Sequence, residues 1–399
     1  MIHFILIALF SLTVFSKSVH VVSKPYEPFD REVMKAIMKA FEPYGKFAPK
    51  EAPVETKPQP LSRGQQMIEE AKAKNRAALA AQKTKSEETP KKEGLDAWKA
   101  EVKKTQEGWK KEVRDQRLIW QKEQEIFLGR VKQYQSSTFE IPAPKIEIIE
   151  KKVSLSDIPE YHVVNAAFNI PVKDQGPRAT CSAFAGIRAM EIILAQNNLT
   201  ESLSEQYFYW ASKPNCQSSP CTEKGSWITT GLSYSQKQAF PDIPKSDACP
   251  YVSTTDLKNE THLPLKSSCL SGGAKVESYE EVRTLSEVIE KIKKDIPVIM
   301  AAKLTPNFYI NQGLITLEDS TKKIAKMNAH SLGHAFLAVG VVELPEKLRA
   351  KEGNYCLILA NSWGQGWGTG GHSCATENWL LKYRQPSPFL TVTSVGLKK

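Results

Sequence analysis

An α+β domain behind a long, compositionally simple N-terminal extension is the architecture this sequence predicts, and three observations carry the expectation. Beyond residue 153, short apolar runs of strand length alternate with helical segments, without the regular strand–helix–strand spacing of a parallel sheet. All seven cysteines lie in that part, at positions 181, 216, 221, 249, 269, 356 and 374. Upstream the chain is rich in proline and then in Lys, Ala, Glu and Gln, a composition that buries little apolar surface.

Taken in order, Phe4 to Phe15 is an apolar run too short to span a bilayer, followed by Ser16, Lys17 and Ser18 as small-residue cleavage positions. Residues 1–18 read as a signal peptide, with an uncleaved anchor as the rival, and no other membrane insertion is expected. Residues 19–95 read as a tether, with prolines at 25, 28, 43, 49, 53, 58 and 60 and a short helix admitted over Gln65 to Gln82. Residues 96–152 are a helix and a connector. Trp98-Lys-Ala-Glu-Val102 recurs as Trp109-Lys-Lys-Glu-Val113 and in part as Trp120-Gln-Lys-Glu-Gln124. Three turns of α-helix take about 10.8 residues, so this spacing aligns Trp98, Val102, Trp109, Val113, Trp120, Phe127 and Val131 in one apolar stripe. Ser136 to Val153, marked by Pro142 and Pro144, reads as extended.

In the 153–399 domain the pattern predicts a helix over Ser182 to Asn197 and a helical segment at Val288 to Lys294. It predicts buried strands over Val298 to Ala302, Ala335 to Val342 and Tyr355 to Ala360, with Glu343 to Gly353 as a polar inserted loop. The formal net charge is +10, but no dense basic block with interleaved aromatics occurs, and nucleic acid is not an expected partner. No CxxC or Cys/His ligand cluster is present, so neither a metal nor a cofactor is expected.

Six cysteines of an exported chain can pair, and the seventh is a candidate reactive thiol. Cys181 is the natural odd one out, because a cysteine at a helix N-terminus meets unpaired N–H groups and the positive end of the dipole. A thiolate that attacks a carbonyl needs a base, an orienter for that base and donors for the developing oxyanion. His334, at the head of an apolar strand, Asn361, at the end of another, and Gln175 supply these three. His330 competes with His334 but does not begin the strand run, and Asn361 alone would read as a turn residue.

These residues lie in segments that, in order, resemble those of papain-family cysteine peptidases. The segments are Ile158-Pro-Glu-Tyr161, Pro171-Val-Lys-Asp-Gln-Gly176, Leu203-Ser-Glu-Gln206, Gly225-Ser-Trp227, Cys249-Pro-Tyr251, Asn361-Ser-Trp-Gly364 and Gly366-Trp-Gly368. The resemblance implies a two-subdomain fold, with a helical half, an antiparallel barrel-like half and the cleft between them. It implies Cys181 as nucleophile, His334 as general acid/base, Asn361 as its orienter and Gln175 in the oxyanion hole. Gly225, Ser226, Trp227, Ile228, Ala301, Leu332, Gly333, Ala335 and Trp363 would line the substrate subsites. An apolar residue two before the cleaved bond would be preferred, since Trp227, Ile228, Ala301, Leu332 and Ala335 are apolar. The resemblance further implies disulfides Cys216–Cys269 and Cys356–Cys374, which leaves Cys221 with Cys249.

The family's usual Cys-Gly-Ser-Cys-Trp reads Arg178-Ala-Thr-Cys-Ser182 here, so Arg178 stands where a cysteine is usual, there to pair with a carboxylate or to favour the thiolate. The resemblance and the site residues together imply an exported cysteine endopeptidase made as a precursor, acting on polypeptides, with its own N-terminal segment as inhibitor. The alternatives are a weak or inactive relative that binds envelope partners through the N-terminal helix, and an amidase cutting cell-wall peptides with the same dyad.

Overall fold

The computed structural model describes residues 28–42, 111, 114–115, 118–131, 133–134, 150, 153–237, 241–320, 333–385 and 388–398. The centre of the fold is the helix Cys181–Gln196 (α3, counting Pro28–Lys39 as α1 and 118–131 as α2), buried continuously from Cys181 to Leu194. A helix largely apolar on every side has no face for solvent and belongs inside. One side of α3 meets two shorter helices, Glu205–Ala211 (α4) and Ile228–Gln236 (α5). Ser204 caps α4, its hydroxyl accepting the Tyr207 N–H.

The opposite side of α3 packs on a sheet. Its strands are Tyr161–Val163 (β1), Ala274–Val282 (β2), Val298–Lys303 (β3), Leu314–Ile315 (β4), Gly333–Glu343 (β5), Tyr355–Ala360 (β6), His372–Thr376 (β7) and Phe389–Leu397 (β8). They pair in the order β2-β8-β3-β5-β6-β7-β4, antiparallel except for β4 with β7. Strand β5 is buried at every position. Its Gly333–Ala338 stretch pairs with β3, and its far end, at Gly340–Val342, takes β1. Helix Leu285–Lys293 (α6) starts with a capping box between Thr284 and Glu287 and lies against β5. The fold is α+β, helical on one flank and sheet on the other, as its pattern predicts.

Three expectations are corrected. The segment read as a polar loop between β5 and β6 contains a helix, Glu346–Glu352 (α9, following the one-turn α7 and α8 at Pro306–Tyr309 and Leu317–Ser320). Start and stop signals outweigh its polarity: Pro345 precedes it, Glu346 opens it, Arg349 and Lys351 close it, and Gly353 leaves it at a φ of 91°. The disulfides are Cys216–Cys221, Cys249–Cys269 and Cys356–Cys374, so only the last matches the pairing implied by resemblance. Two local pairings replaced the long-range ones. A one-turn helix at Pro214–Cys216 and another at Ser267–Leu270 bring each neighbour to a Cα separation of 5.3 and 4.7 Å, inside bridging range. Finally, within the stretch read as tether, Pro28–Lys39 is a helix (α1) whose Val33 and Ile37, with Phe41 beyond it, are fully buried; it lies against β7. Their four-residue spacing makes an apolar stripe that the surrounding proline-rich composition conceals.

Of the tryptophan-striped segment, 118–131 is helical (α2), as are 133–134. Phe127, Val131 and Tyr134 are buried and Trp120 is half-buried against the domain core, while Leu118, Ile119, Ile126 and Leu128 face outward. Trp98, Val102, Trp109 and Val113 lie outside the described residues, as do 1–27 and the Gln65 to Gln82 stretch. Among the described residues no helix is long and apolar enough to cross a membrane.

Candidate active site

Cys181 is the first residue of α3 and the free cysteine of the chain, buried with no exposed surface. Because α3 points its N-terminus at the sheet, the thiol meets β5: the Ala335 N–H donates to Cys181 Sγ at 3.4 Å. His334 is the neighbour of Ala335, so sulfur and imidazole stand one residue apart along the strand. Asn361 follows the last residue of β6, the strand beside β5, which puts it next to His334. The His334 Nε2 to Asn361 Oδ1 distance is 2.7 Å.

The hydrogen-bond pattern fixes the imidazole's tautomer. Asn361 Oδ1 also accepts the Ser362 N–H at 2.8 Å, so this end of the amide is the oxygen, and Nε2 must be the N–H that donates to it. In the neutral ring Nδ1 then carries the lone pair, and among the described residues it has no hydrogen-bond partner. Trp363 covers the pair, its ring centre 4.6 Å from that of His334. Phe308, Tyr309 and Trp367 close around Trp363 in turn, and Trp367 Nε1 donates to the Phe308 carbonyl at 2.7 Å.

Gln175 joins the two flanks. Its backbone N–H donates to the Ser362 carbonyl at 2.8 Å, Ser362 Oγ donates to its Oε1 at 2.6 Å, and its Nε2 donates to the Arg178 carbonyl at 2.7 Å. That use consumes one amide proton and leaves a second. Just before it, Lys173 Nζ bonds Glu191 on α3 at 2.8 Å and Glu205 on α4 at 2.6 Å, tying the Gln175 segment to both helices.

Burial sets the electrostatics of the resting pair. Desolvation pushes the Cys181 thiol up to about 11, against N–H groups of Ala335, Ser182 and Cys181 that favour the thiolate. Burial likewise pulls the His334 imidazole down to about 4, with the Asn361 bond opposing. At neutral pH both groups are therefore uncharged in this conformation.

The remaining expected site residues fall around this centre. Gly225 holds a φ of 77°, which a Cβ disfavours, and its carbonyl accepts from Lys213 Nζ at 2.9 Å. Ser226 Oγ lies 2.6 Å from Ser182 Oγ, which links this segment to the residue after Cys181. Trp227 is 46% exposed and caps α5, whose first residue, Ile228, is buried. Ala301 on β3 is paired with Ala335, and Gly333 with Lys303. Leu332 and the rival base His330 lie outside the described residues. Arg178 bonds no carboxylate side chain among the described residues: its acceptors are the Gln206 amide oxygen and the carbonyls of Val252 and Glu260. The expected carboxylate partner is thus corrected: both terminal nitrogens of the buried guanidinium take neutral oxygens as acceptors, and Nε has no hydrogen-bond partner among the described residues. Sequence reasoning missed Ser362, Tyr251 as a hydroxyl donor and the Phe308–Tyr309 wall; only the aromatic pair after Pro306 carried a visible signal.

A family model for papain family cysteine protease matches residues 162–379, more than half of the chain. The chain belongs to that family. Cathepsin K of Mus musculus is 24% identical over 225 residues, covering 52% of this chain and 56% of the relative. Pro-cathepsin H of the same species is 23% identical over 211 residues, covering 51% and 55%. The chain spans about half the length of the curated relatives it matches. Among solved structures, xylellain, a cysteine protease from Xylella fastidiosa, aligns over 65% of this chain and 97% of its own with 14% identity and a TM-score of 0.48. Digestive procathepsin L 3 of Tenebrio molitor aligns over 68% and 79% with 21% identity and a TM-score of 0.45.

The papain-family domain carries α2 on the sheet side of its centre. Tyr134 stacks on Trp363 with ring centres 5.1 Å apart, and Phe127 lies 5.2 Å from Tyr134 and 6.2 Å from Trp363. Tyr134 also donates to the Asp174 carboxylate at 2.8 Å, with Arg130 3.9 Å from the same group. The contact is so close that a Cβ on Gly366 would stand 2.1 Å from the Glu123 carbonyl oxygen.

Proposed function

We propose that this chain is an exported cysteine endopeptidase whose N-terminal segment restrains it until that segment moves or is cut. The observation that carries the reading is the His334–Asn361 pair at 2.7 Å, its tautomer set, beside the strand residue whose N–H meets Cys181 Sγ. In the reaction the thiol proton passes to His334 Nδ1 and the sulfur attacks the peptide carbonyl. The second Gln175 amide N–H and the Cys181 backbone N–H receive the oxyanion. His334 then gives its proton to the leaving amine, and takes one from the water that hydrolyses the thioester. Asn361 keeps the Nε2–H throughout, so the ring stays oriented for both transfers.

The closed conformation is the restrained one. Neither Cys181 nor His334 has exposed surface, and both are neutral, so chemistry begins only once water and substrate reach them. The position of Phe127 and Tyr134 over Trp363 supports the N-terminal segment as inhibitor, with 19–152 as the removable part and 153–399 as the peptidase domain. Polypeptides are the substrates. An apolar residue two before the cleaved bond is preferred, supported by Ile228, Ala301 and Ala335. Three disulfides beside one free thiol suit an oxidising, extracytoplasmic compartment, reached through the 1–18 signal peptide.

The test is labelling with a peptidyl epoxide and hydrolysis of a peptide library, each before and after N-terminal trimming. Label on Cys181, and hydrolysis that Cys181→Ala abolishes in a folded protein, are expected. Hydrolysis that survives Cys181→Ala overturns the reading.

A further inference from the structure

Arg178 is fully buried three residues before Cys181, in the loop that carries both Gln175 and the nucleophile. Its guanidinium donates from one nitrogen to Gln206 Oε1 at 2.9 Å and to the Val252 carbonyl at 2.5 Å. From the other it donates to the Glu260 carbonyl at 2.6 Å. It lies between two rings, 5.3 Å from the centre of Tyr209 and 5.1 Å from that of Tyr251. Such a site holds a planar cation in one orientation, because each charge-assisted bond and each ring face adds a separate geometric condition.

What that orientation fixes is the main chain of the catalytic loop. The Arg178 carbonyl accepts both Gln175 Nε2 at 2.7 Å and the Thr180 N–H at 2.9 Å. Tyr251, under the guanidinium, donates its hydroxyl to the Gln175 carbonyl at 2.8 Å and meets Thr180 Oγ1 at 2.7 Å. Side chain and carbonyl of one residue thus brace both ends of the segment from Gln175 to Cys181. None of the three disulfides enters that segment.

We propose that Arg178 is a positioning residue that aims the Gln175 amide and the Cys181 loop for oxyanion binding, a non-covalent brace that reductants cannot open. The proposal rests on the peptidase reading above. A guanidinium bonded to neutral oxygens offers no sulfur–sulfur bond for a thiol to attack, so thiol–disulfide exchange leaves it in place.

Arg178→Lys keeps the charge and loses the fork. In the full chain, hydrogen exchange across Asp174–Ala183 should speed by about tenfold or more while exchange in β5 and β6 stays as it was. In the trimmed enzyme kcat should fall about 10–100-fold with KM within about twofold, since removing an oxyanion donor costs roughly 10²–10³. Alkylation of Cys181 by iodoacetamide forms no oxyanion, so its pH midpoint should not move. Added to Gln175→Ala, Arg178→Lys should lower kcat by less than about twofold more. A shifted alkylation midpoint, a multiplicative double variant, or unchanged exchange overturns the proposal. Tyr251→Phe keeps the ring and removes only the hydroxyl; it must lower kcat in the same way by a smaller factor, and an unchanged kcat overturns the proposal whether or not Arg178→Lys folds. If the wild-type enzyme hydrolyses no peptide, the peptidase reading fails, and the exchange comparison still decides whether Arg178 holds the loop.

Discussion

On the helical flank, Cys181 sits at the end of a loop whose fastenings are polar: Arg178 on three oxygens, Lys173 between Glu191 and Glu205, and Tyr251 on Gln175. On the sheet flank, His334 stands on β5 and Asn361 just past the end of β6, strands joined by a backbone ladder, with Cys356–Cys374 tying the next strand on, and both are walled by Phe308, Trp363 and Trp367. Hydrogen bonds give direction, and a group that must present one amide proton to one point in space needs direction. Apolar walls give exclusion, and a histidine–asparagine bond persists when water is kept from it. The two flanks therefore solve different problems, and damage to each should show in a different measurement.

The largest expected effect comes from His334→Ala, which removes the proposed proton carrier while leaving the wall intact. Activity of the trimmed enzyme should fall by about 10²–10⁴-fold or more in a protein that remains folded at neutral pH. A variant with near-normal turnover would break the assignment of the base to the sheet flank. Trp363→Ala attacks the wall itself. Truncating a buried tryptophan should cost about 3–5 kcal/mol, measured by denaturant unfolding, and should raise the pH midpoint of His334 towards its ordinary value as water enters.

Acid should loosen the sheet flank next. His334 has a folded pKa of about 4 against an ordinary 6.5, so its contribution to the folded form is fully present above about pH 6.5 and is lost as pH falls through the window down to 4. The full difference is on the order of 3 kcal/mol. His372, buried against Arg188 and held well below its ordinary value, adds in the same direction. Cys181 acts oppositely: its raised pKa means closure weakens as pH rises from 9 towards 11. Hydrogen exchange at the Ala335 amide, corrected for intrinsic rates, should lose protection between pH 7 and 4.5. Constant protection across that range would mean that the imidazole is not buried in solution.

The smallest effect sharpens the link between α2 and the site. Tyr134→Phe leaves the ring on Trp363 and removes the bond to Asp174, so closure should weaken by about 1 kcal/mol and Cys181 should label about fivefold faster in the full chain. An unchanged rate would show that stacking alone holds α2 in place.

The sequence by itself determined those elements, and those candidate residues, that local pattern can express. Alternating apolar runs announced β3, β5 and β6, and the odd cysteine before an apolar helix announced α3 to within one residue. Residue type at the heads and ends of those elements singled out Cys181, His334 and Asn361 as candidates, and the resemblance in the order of the segments added Gln175. Strand β2 was not legible, since Ala274–Val282 is largely polar and owes its place to pairing with β8, more than a hundred residues away. Only the tertiary structure decided which cysteines meet, that α2 lies over Trp363, and that the terminal nitrogens of Arg178 take neutral oxygens as acceptors. Each depends on distances between segments far apart in the chain, and composition and periodicity carry no such distances: a buried arginine reads the same in sequence whether a carboxylate or three amide oxygens will surround it.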